Sequence, residues 1–207
     1  MAKICIFGAG SIGGYLAACL SKTNIDLSLI ARGPHKKAIE ENGLTLIKEG
    51  RSENFKLKVT DDPKTLDVQD YIFISVKAHA ISNIVDSIKN IIGEKTSIIS
   101  AVNGLPWWYF YKANTGTNLD NHHIDSVDPE GKIWKHLETH FFCVKIVEIL
   151  SRRKVVYGSI KRPIVFTLTT KMETLGNPNF LRYFHVKRVK KLIKLALVYG
   201  NIAAHVK

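Results

Sequence analysis

The sequence predicts a doubly wound α/β domain built on a largely parallel sheet, and three observations predict it. Over the first 102 residues, short apolar β-favouring runs alternate with segments of helical apolar spacing. A glycine-rich turn joins the first such run to the first such helix. The hydrophobic share of 45% and the charged share of 23% are ordinary for a globular chain of 207 residues, which excludes disordered, collagen-like and coiled-coil classes.

Lys3-Ile4-Cys5-Ile6-Phe7 is the first strand, ended by Gly8, and Ile12, Tyr15, Leu16, Cys19 and Leu20 then recur at helical spacing. Leu27–Ile30 is the next strand. Pro34 to Glu41 follows as a short helix, with proline in its first turn and Asn42-Gly43 as its stop. Leu44–Ile47 and Phe55–Val59, joined by the polar stretch Lys48–Asn54, predict a hairpin inserted into the alternation. Asp61-Asp62-Pro63 has cap and first-turn chemistry and opens a short helical segment before the strand Tyr71–Val76. Ile81, Ile84, Val85, Ile88 and Ile91 mark another helix, and Ser97–Val102 another strand. Ligands of such sheets sit at the carboxyl ends of the strands, so the residues after Phe7, Ile30, Val76 and Val102 are the candidates for function.

The charge is unevenly spread. Residues 1–131 hold 14 basic and 15 acidic residues, whereas residues 132–207 hold 16 and 3, so the net charge of +12 resides in the second part. This predicts a core over residues 1–137 and a divergent basic segment over 138–207 that completes or is appended to the same domain. No apolar run reaches the roughly 18 residues that a membrane helix needs, and Met1–Phe7 is too short for a signal peptide. The expected compartment is the cytoplasm, with no membrane partner. Cys5, Cys19 and Cys143 form an odd set without a C-x-x-C pair, so neither a disulfide framework nor a zinc site is expected, and Cys5 and Cys19 read as buried thiols. His122, His123, His136 and His140 match no zinc spacing and are expected at the surface.

Gly8-Ala9-Gly10-Ser11-Ile12-Gly13 is a G-x-G-x-x-G between a strand and a helix, which makes the predicted domain Rossmann-like. Gly8 permits the tight turn, Gly10 the approach of a pyrophosphate, and Gly13 the packing of helix on strand; the helix N-terminus offers free N–H groups to the anion. An acid after the second strand would bond the ribose hydroxyls of NAD, but the chain reads Ile30-Ala31-Arg32-Gly33-Pro34. Arg32 accepts no hydrogen bond yet suits a 2′-phosphate, so NADP(H) is favoured as the cofactor, with Lys36 or Lys37 as reinforcement. The bland alternative is a solvated arginine.

Lys77 follows a buried strand, where a cation can meet cofactor phosphates or a substrate carboxylate, or simply lie at the surface. Asn103 follows another strand with an amide that both donates and accepts, or serves only an Asn-Gly turn. Trp107 to Tyr111 form an aromatic cluster that reads as apolar cover for the cleft or a packing edge. With Gly8–Gly14, Arg32, Val76-Lys77-Ala78-His79-Ala80, Asn103-Gly104-Leu105-Pro106-Trp107-Trp108 and Glu130-Gly131-Lys132-Ile133-Trp134, about the first 135 residues resemble the ketopantoate reductases (2-dehydropantoate 2-reductases). The resemblance implies an NADPH-dependent oxidoreductase of pantothenate biosynthesis that reduces the C2 ketone of 2-dehydropantoate. It also implies that Lys77 holds the cofactor and substrate end of the cleft and that Asn103 lies beside nicotinamide and substrate. The family commonly has glutamine before the Asn-Gly pair, where this chain has Val102.

From about Leu137 the resemblance degrades. Phe141–Lys171 is β-capable with a basic interruption at Arg152-Arg153-Lys154, and Leu175-Gly176-Asn177-Pro178-Asn179 resembles the family's L-G-x-P turn. The family's helical second domain, which supplies a catalytic lysine, has no counterpart here, so an incomplete chain is expected and no lysine can be matched to that general acid. Two other readings stand beside the reductase: a nucleotide-binding module without turnover, and an anion or nucleic-acid binder using the basic tail on a Rossmann scaffold. Val189, Leu192, Ile193, Ala196 and Leu197 lie on one face of a helix in that tail, opposite Lys187, Arg188, Lys190, Lys191 and Lys194. A helix packed on the sheet with a solvated basic face explains this pattern without a partner, and no nucleic-acid motif accompanies the charge. A homodimer is left open.

Overall fold

The computed structural model describes residues 1–48, 51–102, 107–110, 116–137, 141–143, 150–157 and 160–165. Strands β1 (Ala2–Phe7), β2 (Ile25–Ile30), β3 (Leu44–Lys48), β4 (Arg51–Phe55), β5 (Lys58–Thr60), β6 (Tyr71–Ile74), β7 (Ser97–Ser100), β8 (Phe141–Cys143), β9 (Leu150–Tyr157) and β10 (Ile160–Val165) are interleaved with helices α1 (Ser11–Leu20), α2 (Gly33–Asn42), α3 (Val85–Lys89) and α4 (Lys132–Leu137). Six strands form a parallel sheet in the order β5-β2-β1-β6-β7-β8. Counted along the chain within that sheet, the order is 3-2-1-4-5-6, the doubly wound arrangement whose direction reverses between β1 and β6.

Strand β1 shows why both faces had to be covered. Ile4 and Ile6 point into one core with Tyr15, Ala18, Leu29 and Phe73, while Cys5 and Phe7 point into the other with Ile72, Ile74, Ile88 and Ile98. Alternate residues of an extended chain face opposite sides, so an uninterrupted apolar run can be buried only between two layers. Helix α1 closes the first side, and α3, α4 and the two tryptophans close the second.

The predicted hairpin exists with a different second strand. β3 pairs antiparallel with Arg51–Phe55, Leu44 opposite Phe55 and Ile47 opposite Ser52, and the downstream Lys58–Thr60 joins β2 in the parallel sheet instead. Arg51 to Asn54 are all exposed, so this edge strand is held by backbone pairing along its length and by the burial of Phe55 at its end. Strands β9 and β10 extend the hairpin into a four-stranded antiparallel sheet ordered β10-β9-β3-β4. The basic triplet Arg152-Arg153-Lys154 lies inside β9 and does not interrupt it.

The expected helix over Ile81–Ile91 is shorter as an α-helix than its periodicity implies. Ile81, Ile84, Val85, Ile88 and Ile91 are all buried, yet only Val85–Lys89 is α-helical, preceded by a 3-10 turn at Ala78–Ala80. The turn over Pro63–Thr65 is also 3-10, capped by the Asp62 carboxylate, which accepts from the Lys64 N–H at 3.0 Å. Buried Asp128 anchors α4 by accepting from the N–H groups of Ile133 and Trp134 at 2.8 and 2.7 Å. Trp107 and Trp108, 1% and 3% exposed, pack edge-to-face in the second core, so they serve packing, and Tyr109 turns outward. The tail helix over Val186–Val198, the Leu175–Asn179 turn and His140 lie outside the described residues. Among the described residues, no helix is long and apolar enough to cross a membrane.

Candidate functional site

The glycine loop occupies the point where the sheet reverses direction. The Gly8 N–H donates to the Ile30 carbonyl at 3.1 Å, and Gly8 takes φ +110°, a left-handed conformation that a side chain would strain. A Cβ at Gly8 would also stand 2.9 Å from Val76 Cγ1, and one at Gly13 would overlap the Gly8 carbonyl oxygen and Ser75 Oγ. Gly10 differs, because a Cβ there meets no described atom within 4 Å. Gly8 and Gly13 therefore let the chain pack upon itself, whereas Gly10 faces open space.

Gly10 is also the N-cap residue of α1. No side chain caps that helix and no acid stands in its first turn, so the N–H groups at Ser11, Ile12 and Gly13 begin the helix without a carboxylate of the protein's own. Ser75, which in the sequence is marked only as part of a strand, locks the loop to β6: its hydroxyl lies 2.8 Å from the Gly8 carbonyl oxygen and 3.1 Å from that of Phe7.

A cleft of about 320 Å³ opens at the carboxyl ends of β1, β2 and β5. Phe7, Gly8 and Ala9 form one part of its wall, Ala31, Arg32 and His35 another, and Asp61, Asn83 and Ser87 contribute further polar groups. The fold thus brings the glycine loop and Arg32 together although 24 positions separate Gly8 from Arg32. Arg32 is the exposed N-cap residue of α2 and enters none of the ion pairs formed among the described residues.

The lysines expected to reinforce Arg32 are engaged elsewhere. Lys36 Nζ lies 3.0 Å from Asp61 Oδ1 and 3.6 Å from Glu40, and Lys37 lies 3.9 Å from Glu41. The hydrogen bond from Lys36 holds the Asp61 carboxyl below the usual aspartate range, and Asp61 in turn raises the Lys36 ammonium. Asp61 was legible in the sequence only as turn chemistry. Its position one residue past a strand end was the available signal, hidden because Lys58–Thr60 did not read as a strand of the parallel sheet.

Lys77 is exposed, immediately past the cleft residue Val76, where it caps the 3-10 turn Ala78–Ala80; it is not among the residues lining the cleft with Arg32. Asn103 lies outside the described residues, while the neighbouring Val102 packs against the second core. Among the described residues no cluster of histidine, cysteine and carboxylate could hold a metal. His123 pairs with Asp125 at 2.8 Å and His136 Nδ1 lies 2.8 Å from the Lys132 carbonyl oxygen, and both rings are partly buried.

Strand order, glycine loop and cleft together define a Rossmann-type α/β domain. Residues 4–106 match the model of the ketopantoate reductase PanE/ApbA family, and the chain carries the N-terminal domain of that family. A relative from Mesorhizobium japonicum, named 2-dehydropantoate 2-reductase, is 42% identical over 136 residues, which is 65% of this chain and 41% of the relative. The crystal structure of a candidate ketopantoate reductase from Ralstonia solanacearum MolK2 superposes with a TM-score of 0.66 at 32% identity, covering 73% of this chain and 46% of that one. D-mandelate dehydrogenase in its ternary complex with NADH and anilino(oxo)acetate shares the fold, with a TM-score of 0.55 at 21% identity over 70% of this chain and 41% of that one. This chain spans less than half the length of each of the three.

Proposed function

We propose that this chain binds NADP(H) across the glycine loop and serves the reduction of a 2-oxo acid, 2-dehydropantoate by the name of its Mesorhizobium relative. The observation that carries the reading is the convergence of Gly8, Ala9 and Arg32 on one cleft at the strand ends. The residues present fit the cofactor: Gly10 leaves open space for an approaching phosphate, the start of α1 has no capping side chain, and Arg32 is exposed.

In this reading the N–H groups of Ser11, Ile12 and Gly13 receive the pyrophosphate, because the first turn of a helix carries donors without intrahelical acceptors. Arg32 receives the 2′-phosphate through a charge-assisted fork. Lys77 and Asn103, assigned by family resemblance, attract the anionic end of the substrate and orient the amide of the nicotinamide. When bound, the cofactor supplies a hydride to the ketone carbon. The chain's own contribution is to hold the donor ring and the ketone in register and to keep the phosphates in place.

Calorimetric titration with NADPH and NADH, repeated on Arg32→Ala, tests the reading. NADPH should bind more tightly, and the variant should lose about 1.5–3 kcal/mol of NADPH affinity, the range for a hydrogen bond to a charged group, with little change for NADH. Equal affinities in the wild-type chain would overturn it.

A further inference from the structure

We propose that Asp61 sets the cofactor specificity of the cleft by opposing the 2′-phosphate: it occupies Lys36 and adds a carboxylate beside Arg32. The proposal rests on the reading that Arg32 receives that phosphate, and it assigns a role to a residue outside the glycine loop and outside the β2 exit.

Topology brings the two residues together. β5 lies beside β2 with Thr60 opposite Ile30, and the Ala31 N–H donates to the Thr60 carbonyl at 3.0 Å. The chain therefore leaves β5 at Asp61 next to where it leaves β2 at Arg32, and both line the cleft. In dinucleotide-binding domains that take NAD, an acid at the β2 exit bonds the ribose hydroxyls. Here the β2 exit carries a cation, and an acid reaches the same cleft from the neighbouring strand.

Lys36 decides what that acid does. It lies in the first turns of α2, four residues beyond Arg32, with Asp61 at 3.0 Å on one side and Glu40 at 3.6 Å on the other. Arg32 and Lys36 supply two positive charges, Asp61 and Glu40 two negative ones, so this quartet is neutral although a phosphate monoester arriving there is a dianion. Lys36 is shared between Asp61 and Glu40 and is not itself among the residues lining the cleft, so any pairing of Lys36 with the phosphate competes with Asp61 and leaves Asp61 less neutralised. The arrangement moderates the preference that Arg32 creates. With Asp61 neutral, Lys36 is released to the phosphate and the repulsion disappears.

The test compares dissociation constants for 2′,5′-ADP and 5′-AMP, which differ in the 2′-phosphate, using the full chain in wild-type, Asp61→Asn, Lys36→Met, Asp61→Asn/Lys36→Met and Arg32→Ala forms. Asp61 is exposed, so its amide variant should keep the fold, which circular dichroism checks. The 5′-AMP to 2′,5′-ADP ratio of dissociation constants should rise about three- to tenfold in Asp61→Asn, as expected when a partly exposed lysine becomes free to pair with the phosphate and one repulsion is removed. The rise should shrink to about twofold in the Lys36→Met background, where the released cation is missing. If Arg32→Ala collapses the wild-type ratio but Asp61→Asn leaves it unchanged or lower, the role of Asp61 is overturned and the Arg32 reading stands. A ratio near one in every form overturns both.

Discussion

The hydroxyl of Ser75 on the loop after β6 lies 2.8 Å from the carbonyl oxygen of Gly8 on the loop after β1, which makes it a clamp across the two strands between which the sheet reverses direction. The Phe7 carbonyl already receives the Ser75 N–H at 2.9 Å, so the hydroxyl matters mainly to Gly8. Ser75→Ala should destabilise the chain by about 1–2 kcal/mol through the unpaired carbonyl and weaken NADPH binding, because the loop geometry depends on Gly8. Denaturant titration and calorimetry on the same variant check both effects; an unchanged affinity would show that the loop holds its shape without the clamp.

Two glycines of one motif should fail in different ways. Gly13→Ala places a methyl against the Gly8 carbonyl oxygen and Ser75 Oγ, and such overpacking against backbone should cost about 3 kcal/mol or more. Gly10→Ala meets no described atom, so its melting temperature should stay within a few degrees of wild type, at roughly 1 kcal/mol or less of change. Its NADPH affinity should nonetheless drop by about tenfold or more, near 1.4 kcal/mol, because the methyl projects where a phosphate would approach. Thermal melts with and without NADPH separate the two outcomes.

Acid should loosen the contact between α3 and α4. The Asp86 carboxyl is held below its ordinary value of 3.8, first by the hydrogen bond from Lys132 at 2.9 Å, with Lys89 adding to the effect. A depressed folded-state pKa means that the carboxylate's contribution is complete above its ordinary value and disappears as pH falls through the lowered one. The difference in melting temperature between wild type and Asp86→Asn should therefore be small but measurable at neutral pH, because the pair is exposed, and should shrink as pH falls below the ordinary value and through the lowered one. A gap that widens on acidification would contradict this sign.

Cys5 should be chemically silent in the folded protein. The thiol is fully buried in β1, and desolvation pushes its pKa up to about 12, leaving almost no thiolate at pH 8. Peptide mapping after iodoacetamide treatment at that pH should find Cys5 unmodified in native protein and fully alkylated in denaturant. Rapid native labelling would mean that β1 opens far more often than a central strand should.

The β1, glycine-loop and α1 unit was legible in the sequence because the signals that mark it are local, although Ser75 and Val76 also press on its glycines from the loop after β6. Ile4 to Phe7 form an unbroken apolar run, Gly8 needs a conformation other residues avoid, and the helix phase of Tyr15, Cys19 and Leu20 follows directly. Arg32 was legible for the same reason, standing two residues past a recognisable strand. The edge strand Arg51–Phe55 was not, since its first four residues are exposed and show no apolar alternation, and it forms where β3 offers backbone groups to pair with and the core receives Phe55.

What tertiary structure alone decided is which charges meet. Lys36 stands beside Arg32 in the sequence and read as its helper; the fold instead brings up Asp61, 25 positions along, by pairing the three-residue strand β5 with β2. Ser75 reaches Gly8 across 67 positions in the same way, through the pairing of β1 with β6. Sequence periodicity reports which face of an element is buried, a property of each element by itself. The partner of an exposed charge depends on the lateral order of strands, which is set by the packing of the whole sheet and leaves no periodic trace in the chain.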